Sequence, residues 1–166
     1  MMVSMLFATL SCLGMLLGQA SRDPSPEPRF SELSSQDRER LEQQRALIAS
    51  TVKQRYSVPA LTRTKSDLTI LQRLLDDQVF KKTQTYELQS LGVVFGDVLV
   101  SELPLRWVTI TDEFGTDPTL RFKNSSININ ALTMISKRVE RGEHVDLQWL
   151  LDKARESLSE AEKQFR

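Results

Sequence analysis

The segment that most constrains the fold runs from Thr85 to Leu103 and reads TYELQSLGVVFGDVLVSEL. Apolar residues cover most of its surface at helical spacing, which predicts a helix buried on nearly every side. Gly92 and Gly96 lie one turn apart on the same side, so that another part of the chain can approach the helix backbone closely. We therefore expect this helix to be the central element of the fold. Its apolar positions are Leu88, Leu91, Val94, Phe95, Val98 and Leu99.

The hydrophobic period changes after this helix. From Leu105 to Thr111 the side chains alternate and β-branched residues are frequent, which predicts a strand. Residues 112–118 are dense in turn formers, and Thr119–Lys123 can return as the second strand of a hairpin. Ser126–Ile129 can add a third strand. The pattern predicts a short antiparallel β-hairpin or a three-stranded sheet.

Two helices are predicted before this region. Residues 34–56 form an N-terminal helix with a narrow apolar stripe. We interpret it as a surface helix on the domain's own core; the alternative is a helix that reaches away to a partner. A short second helix is predicted to begin at Ser66 or Asp67.

Two more helices end the chain. The first follows Asn128 or Asn130, and the second follows Asp146, because these side chains can cap a helix N-terminus. The order helix, helix, hairpin, helix, helix predicts the α+β class. We expect a small single domain over residues 60–166, in which the hairpin or three-stranded sheet packs against several helices.

The first twenty residues predict the compartment. Residues 1–20 contain no charged side chain, and their apolar stretch has the length of a signal-peptide core. Small residues at Gly18 and Ala20 suit cleavage after Ala20. We therefore expect a periplasmic or secreted protein. The segment lacks the Lys or Arg that usually begins a signal, which leaves two alternatives: an uncleaved membrane anchor, or an N-terminal helix of a soluble protein.

A proline-containing linker is predicted over residues 21–33. Pro24, Pro26 and Pro28 alternate with polar residues, and proline cannot donate helical hydrogen bonds. The segment therefore favours an extended tether.

Composition argues against several classes of function. The chain has 22 basic and 22 acidic residues, which argues against a general electrostatic affinity for nucleic acid or an anionic membrane surface. The only cysteine, Cys12, would be removed with the signal, so disulfides, thiolate nucleophiles and cysteine metal sites are not expected. No nucleotide-binding or metal-binding motif is present, and we predict no cofactor and no metal.

Three stretches of the chain carry a family resemblance: ELQSLGVVFGDVL, RWVTITDEFGTDPTLRF and ISKRVERGEHVDLQWL. Taken in this order, they resemble a bacterial family known only as domain of unknown function 3806, over roughly residues 67–152. The resemblance implies a bacterial source and one compact domain, and it implies no activity, substrate or catalytic residue. The residues that carry it are Leu91, Gly92, Gly96, Asp97, Trp107, Asp112, Gly115, Arg138 and Glu140.

Asp97 is the polar residue of most interest, because it lies among apolar neighbours in the central helix. A buried carboxylate must find hydrogen-bond donors or remain protonated. We interpret Asp97 as a structural acceptor, with Arg106 or Arg121 of the hairpin as its ion partner. The alternative is an acid/base or ligand-contacting group.

Two other polar features are interpreted as structural. Asp112, Glu113 and Asp117 surround a tight turn, and they lack the register of a calcium-binding loop. His144, the sole histidine, precedes a helix, and the sequence has no motif that would supply a serine nucleophile as its catalytic partner. We therefore expect His144 in an exposed loop.

Two tryptophans complete the candidate contact residues. We expect Trp107 to anchor the sheet against Gly92 and Gly96, since their bare surface suits a bulky ring. Trp149 lies beside its helix's apolar stripe; partial burial is expected, and an exposed contact is the alternative.

These observations favour an exported, non-enzymatic domain with an envelope protein as its partner. The candidate ligand or partner residues are Asp97, Trp107, Asp112, Arg121 and Trp149, and none is assigned a catalytic role. An alternative from another class is a small acid/base enzyme, hydrolase-like, that uses Asp97 with the hairpin carboxylates. A third is a purely structural accessory domain.

Overall fold

Residues 27–164, which the computed structural model describes, form five α-helices and four β-strands. This is the predicted α+β class, with a small antiparallel sheet packed against helices. In chain order the elements are β1 (Arg29–Ser31), α1 (Ser35–Tyr56), α2 (Leu68–Asp76), α3 (Thr85–Glu102), β2 (Leu105–Asp112), β3 (Gly115–Phe122), β4 (Asn128–Ile129), α4 (Ala131–Glu140) and α5 (Leu147–Gln164).

The sheet is antiparallel, and its strands lie side by side in chain order. Asp112 of β2 pairs directly with Gly115 of β3, so that only two residues form the turn between them. Gly115 adopts a φ of 130°, which side-chain-bearing residues avoid. The turn is therefore shorter than residues 112–118, because Thr116, Asp117 and Pro118 pair with β2 and belong to the strand.

The fourth strand, β1, comes from the segment that we interpreted as the end of a linker. Phe30 pairs with Ile110 of β2, and the guanidinium carbon of Arg121 lies 4.3 Å from the centre of the Phe30 ring. Three residues are too few to show the alternation of a strand in sequence. The free edge of β2 supplies their hydrogen-bond partners, so the strand depends on the tertiary fold.

Helix α3 is the central buried helix, as its sequence predicts, and it packs against α1, α2, α4 and β2. A Cβ atom on Gly92 would lie 2.5 Å from the backbone oxygen of Ala131, where α4 begins. A Cβ atom on Gly96 would lie 2.5 Å from Cζ2 of Trp107. The predicted close approach is confirmed, and each glycine admits a different neighbour.

Helix α1 packs on the same core. Leu41, Ile48 and Val52 from its narrow apolar stripe are buried, and α3 is the neighbour of α1. The side chain of Ser34 caps the helix by accepting the N–H of Asp37 at 3.0 Å. The helix is therefore a surface helix on the domain's own core, which is the first of the two interpretations above.

The loop between α1 and α2 is held by Asp67. Residues Lys65–Asp67 form a short 3-10 turn, and α2 follows at Leu68. The buried carboxylate of Asp67 accepts the N–H of Thr62 at 3.1 Å and the N–H of Arg63 at 2.7 Å. These bonds stabilise a backbone at Arg63 with a φ of 59°, an uncommon value for a residue with a side chain.

Both C-terminal helices begin at predicted caps. Asn130 Oδ1 accepts the N–H of Thr133 at 3.4 Å at the start of α4. Asp146 Oδ1 accepts the N–H of Trp149 at 2.9 Å at the start of α5. The capping predictions for these two helices are confirmed.

The predicted signal peptide, residues 1–20, and the first part of the linker lie outside the described residues. Between residues 27 and 164, no helix has both the length and the apolar character needed to cross a membrane.

Candidate functional site

Asp97 lies where α3 meets α1 and β2, and three donors bind its carboxylate. Arg45 of α1 donates from Nε to Oδ2 and from Nη2 to Oδ1, each at 2.6 Å. The indole Nε1 of Trp107 donates to Oδ1 at 2.9 Å. Asp97 is only 8% exposed, so this paired arrangement replaces the water that the carboxylate loses on burial.

A chain of alternating charges leads from Asp97 to the surface. The third nitrogen of Arg45, Nη1, donates to Glu42 at 2.8 Å, and Glu42 also accepts from Nη2 of Arg63 at 3.2 Å. Burial lowers the pKa of the Arg45 guanidinium, but the hydrogen bond and charge of Asp97, together with Glu42, outweigh it and raise that pKa above its ordinary value. Arg45 therefore remains charged wherever the protein is folded.

The ion partner of Asp97 differs from the expected one. Neither Arg106 nor Arg121 of the hairpin contacts it, and that expectation was wrong. Arg106 is exposed on β2 and pairs with Glu32 at 2.9 Å. The true partner, Arg45, lies 52 residues before Asp97 in a different helix, and a local sequence pattern cannot reveal such a pairing.

The hairpin carboxylates do not join Asp97. Asp112 accepts the N–H of Phe114 at 2.8 Å within the tight turn, and Asp117 pairs with Arg40 at 3.3 Å. Neither lines the cleft of about 270 Å³ that lies beside Asp97. Throughout residues 27–164, no three His, Cys, Asp or Glu side chains are grouped so that they could share a metal ion.

Arg121 holds the β3–β4 connection together. Its Nε donates to the carbonyl of Ser125 at 2.7 Å and its Nη2 to the carbonyl of Asn124 at 3.0 Å. With the Phe30 ring against its guanidinium, this side chain has local structural contacts on several sides.

Trp149 is 52% exposed, so the expectation of partial burial was wrong and the alternative of an exposed contact describes it. It borders a shallow cleft of about 550 Å³ whose other lining residues are polar or charged. The ring lies on the outer side of α5, because Leu150 and Leu151 take the buried positions of that turn.

A concave surface of the described chain lies between α2, the α2–α3 loop and the α4–α5 connection. Two adjoining clefts, of about 690 Å³ and 580 Å³, share Asp76 and His144 and together form what we call the α2 groove. His144 is exposed, as expected. The apolar lining residues are Leu68, Leu75, Phe80, Val139, Val145 and Leu147.

Gln72 joins the two walls of the α2 groove. Its side-chain amide donates to the carbonyl of Val145 at 2.9 Å and accepts the N–H of Leu147 at 2.9 Å. Gln72 thus uses both its NH2 group and its oxygen to bind the connection before α5 to helix α2. An amide that pairs with two backbone groups in this way keeps a loop ordered without regular secondary structure.

The acidic residues that line the α2 groove have polar partners, whereas two of its lysines have no ion pair in the described residues. Asp76 accepts a hydrogen bond from Gln72 at 2.9 Å, and Glu143 pairs with Arg141 at 3.5 Å. The ammonium groups of Lys81 and Lys82 have no ion pair within residues 27–164. The cleft of about 690 Å³ therefore contains two lysines that can pair with a further carboxylate, beside the carboxylates of Asp76 and Glu143.

Comparison with protein families supplies the classification. The model of the family described as Domain of unknown function (DUF3806) matches residues 67–150, which is half of the chain. The chain belongs to the DUF3806 family. The matched DUF3806 region contains Asp97, Trp107 and His144, whereas Arg45 and the rest of α1 precede it.

A crystal structure of a protein from Bacteroides thetaiotaomicron VPI-5482 has the same fold as this DUF3806 chain. The two align with a TM-score of 0.71 and 17% identity, over 79% of this chain and 48% of that one. This chain thus spans about half the length of that protein, and at this identity the likeness shows the fold alone. No curated protein matches the chain.

Proposed function

We propose that this DUF3806 protein is an exported, non-enzymatic domain that binds a segment of an envelope protein in the α2 groove. The observation that carries the proposal is the groove itself: two adjoining clefts of about 690 Å³ and 580 Å³ with an apolar floor and a polar rim. A concave apolar surface with a few placed polar groups is the usual form of a binding site.

The shape of the α2 groove suits an extended segment. Its two clefts adjoin and share Asp76 and His144 as lining residues, so a ligand that contacts both is long rather than round. Partly buried side chains, among them Leu75, Phe80 and Val139, offer apolar contact along its floor. Lys81 and Lys82, which have no ion pair within residues 27–164, favour a segment that carries carboxylates beside its apolar side chains.

The contacts of Asp97 support a binding domain over an acid/base enzyme. Two donors from Arg45 and one from Trp107 take three of the roughly four lone-pair positions of the carboxylate, and burial restricts the access of a substrate proton to the remaining one. The carboxylates of Asp112 and Asp117 make contacts elsewhere. No specific contact in the described residues favours catalysis at this carboxylate.

Export is supported by the sequence of residues 1–20. This segment is uncharged and apolar, and it is followed by a polar, proline-containing stretch. N-terminal sequencing of the protein from its native cells should find a terminus at Ser21. A mature terminus at Met1 in the cytosol would contradict export and the envelope partner together.

The binding proposal is tested by site-specific crosslinking in cells that produce the full chain. Cys12→Ala removes the natural thiol, and His144→Cys or Thr69→Cys, labelled with a thiol-reactive photocrosslinker, then places a single probe in the α2 groove. Both positions should capture the same envelope protein, through a peptide that mass spectrometry shows to contain apolar and acidic residues.

Ser157→Cys is the matched control, because Ser157 is exposed on α5 and does not line the groove. Capture from Ser157 at the same yield would show contact without a specific site. Crosslinks to a peptide without carboxylates, or none from position 144 or 69, would likewise contradict the proposal.

A further inference from the structure

The tip of the β2–β3 hairpin carries an aromatic ring in solvent. Phe114 is 88% exposed, and with Glu113 it forms the turn between Asp112 and Gly115. A two-residue turn favours small or polar residues such as Asn, Asp and Gly, so the turn itself does not call for a phenyl ring. Since the ring adds nothing to the core, it is a candidate for contact with another molecule.

Carboxylates accompany this ring. Asp112 and Glu113 directly precede Phe114 in the chain, and we call residues 112–114 the hairpin tip. Asp112 uses Oδ1 to accept the N–H of Phe114 at 2.8 Å, and it has no ion pair within residues 27–164. The hairpin tip thus presents an apolar ring beside acidic side chains.

The α2 groove has the complementary lining. Its floor offers partly buried apolar side chains such as Leu75 and Phe80, and Lys81 and Lys82 beside them are exposed. Its larger cleft of about 690 Å³ lies within the roughly 300–1,000 Å³ of ligand sites, and so it has room for a phenyl ring. The hairpin tip therefore has the chemistry of the segment proposed for this groove: an apolar side chain with carboxylates next to it.

The hairpin tip does not enter the groove of its own copy. No residue of β2, of β3 or of the turn between them lines either cleft of the groove. β2 and β3 pair along their whole length, from Leu105 and Phe122 to Asp112 and Gly115, and this ladder holds the tip in place. A hairpin tip that occupies the groove therefore belongs to another copy of the chain.

We propose that the α2 groove binds the hairpin tip of a second copy of this chain, an inference that rests on the proposed function of the groove. The Phe114 ring packs on the apolar floor, and the carboxylate of Asp112 pairs with Lys81 or Lys82. Burial of the ring and the opposite charges supply the attraction. A second copy and an envelope segment then compete for one groove, so self-association regulates access to it.

The contact joins two different surfaces, and an interface of this kind is heterologous. Copies linked in this way form a reciprocal pair, a ring or a chain. A tip of three residues covers less than the roughly 1,200 Å² of a stable interface, so the association is weak and transient. We expect a dissociation constant of about 0.1–1 mM.

The test is sedimentation equilibrium of the protein purified from cells that express the full chain. The average mass of the wild-type protein should rise as its concentration increases to about 1 mM. Phe114→Ala removes the exposed ring and should weaken the association about tenfold or more. Trp149→Ala is the matched control and should associate like the wild-type protein, because Trp149 is an exposed ring outside the groove.

Charge reversal tests the groove. Lys81→Glu with Lys82→Glu should weaken the association about tenfold or more, because the acidic tip then meets like charges. Lys53→Glu with Lys65→Glu is the matched control and should have little effect, since these lysines do not line the groove and the net charge changes equally. All four lysines are exposed, so none of these changes removes a core contact.

A mixture of the two impaired proteins gives the decisive result. Phe114→Ala retains an intact groove, and Lys81→Glu with Lys82→Glu retains an intact tip. Their equimolar mixture should form a one-to-one complex with the affinity of a single contact, at a concentration where neither protein associates alone. An interface that uses the same patch on both copies would not be restored by mixing.

The proposal fails on any of three results: a wild-type protein that stays monomeric up to about 1 mM, association unchanged by Phe114→Ala, or a mixture that stays monomeric. A monomeric protein whose positions 144 and 69 still capture an envelope peptide would contradict this inference alone. A restored mixture without any captured envelope peptide would contradict the proposed partner and leave the contact between copies standing.

Discussion

Asp97 and Gln44 are both buried polar residues where α1 and α3 pack together, yet they differ in how many hydrogen bonds they receive from the rest of the protein. Asp97 is charged and receives three hydrogen bonds from Arg45 and Trp107. Gln44 is neutral and more deeply buried, and its oxygen has no donor among residues 27–164. Their sequence contexts are similar, because each interrupts an apolar helix face.

The difference separates a buried charge from a buried neutral group. A buried charge without partners would destabilise the fold severely, so the protein itself supplies partners for Asp97. A neutral amide is tolerated with one unpaired atom, because burying it costs less than burying a charge. The residue that attracts attention in the sequence is the structural one.

The largest effect is expected at Asp97. Asp97→Ala leaves the Arg45 guanidinium buried without its carboxylate and should lower the free energy of unfolding by about 3–5 kcal/mol, measured by urea denaturation. Replacing both partners, as Arg45→Met with Asp97→Leu, should recover most of that loss. A loss below about 1 kcal/mol in the single variant would show that the pair is solvated and would remove the contrast with Gln44.

Trp107→Phe tests the third donor to Asp97. The change removes the Nε1 hydrogen bond to a charged group and should lower the free energy of unfolding by about 1.5–3 kcal/mol. Trp149→Phe, at the exposed tryptophan, should have little effect in the same denaturation experiment. Equal losses in the two variants would mean that the indole hydrogen bond is unimportant.

Gly96→Ala tests whether the ring of Trp107 is held in place by the bare surface of α3. The new Cβ would lie 2.5 Å from Cζ2 of Trp107, so the ring must move and stability should fall by about 1–3 kcal/mol. Ser101→Ala, at an exposed position of α3, is the control. Stabilisation by Gly96→Ala, as helix propensity alone would give, would contradict the close contact.

Gln44→Leu should have the opposite sign from Asp97→Ala in the protein without ligand. Removing an amide whose oxygen has no partner should leave the free energy of unfolding unchanged or raise it by up to about 1 kcal/mol. The measurement is again urea denaturation. A loss of about 2 kcal/mol or more would show that Gln44 is satisfied in solution and that the two residues are alike.

The smallest effect is expected from pH. Because the pKa of Arg45 is raised in the folded protein, the ion pair contributes its full stability below the unfolded pKa of arginine and loses it only as pH rises through the folded value. The stability difference between the wild-type protein and the double variant Arg45→Met with Asp97→Leu, in which neither partner is left to titrate, should therefore be constant from neutral pH to about pH 9. A difference that shrinks over this range would contradict a persistent pair.

Much of the fold follows from local sequence patterns. Apolar residues that recur every three or four positions identify all five helices, and the capping residues Ser34 and Asn130 begin two of them. The change of period after Pro104 identifies the hairpin. Strand β1 and the short turn at Gly115 were beyond this reasoning, because pairing with β2 determines both.

The candidate sites follow less well from the sequence. Asp97 and Trp107 were named as candidates, but their partner Arg45 belongs to α1, far away in the chain. The α2 groove combines residues from α2, two loops and α5, and none of its segments carries a motif. Gln44 gave no signal, since a glutamine on a helix is ordinarily exposed.

What the sequence determined by itself is the α+β class, the central place of α3 and the need for close packing at Gly92 and Gly96. These are local properties, because periodicity and the lack of a side chain act within a few residues. The tertiary structure alone decided that Arg45 neutralises Asp97 and that Gln44 is left without a donor. Hydrogen bonds between buried groups depend on which elements meet in space, and that meeting is settled only when the whole core packs.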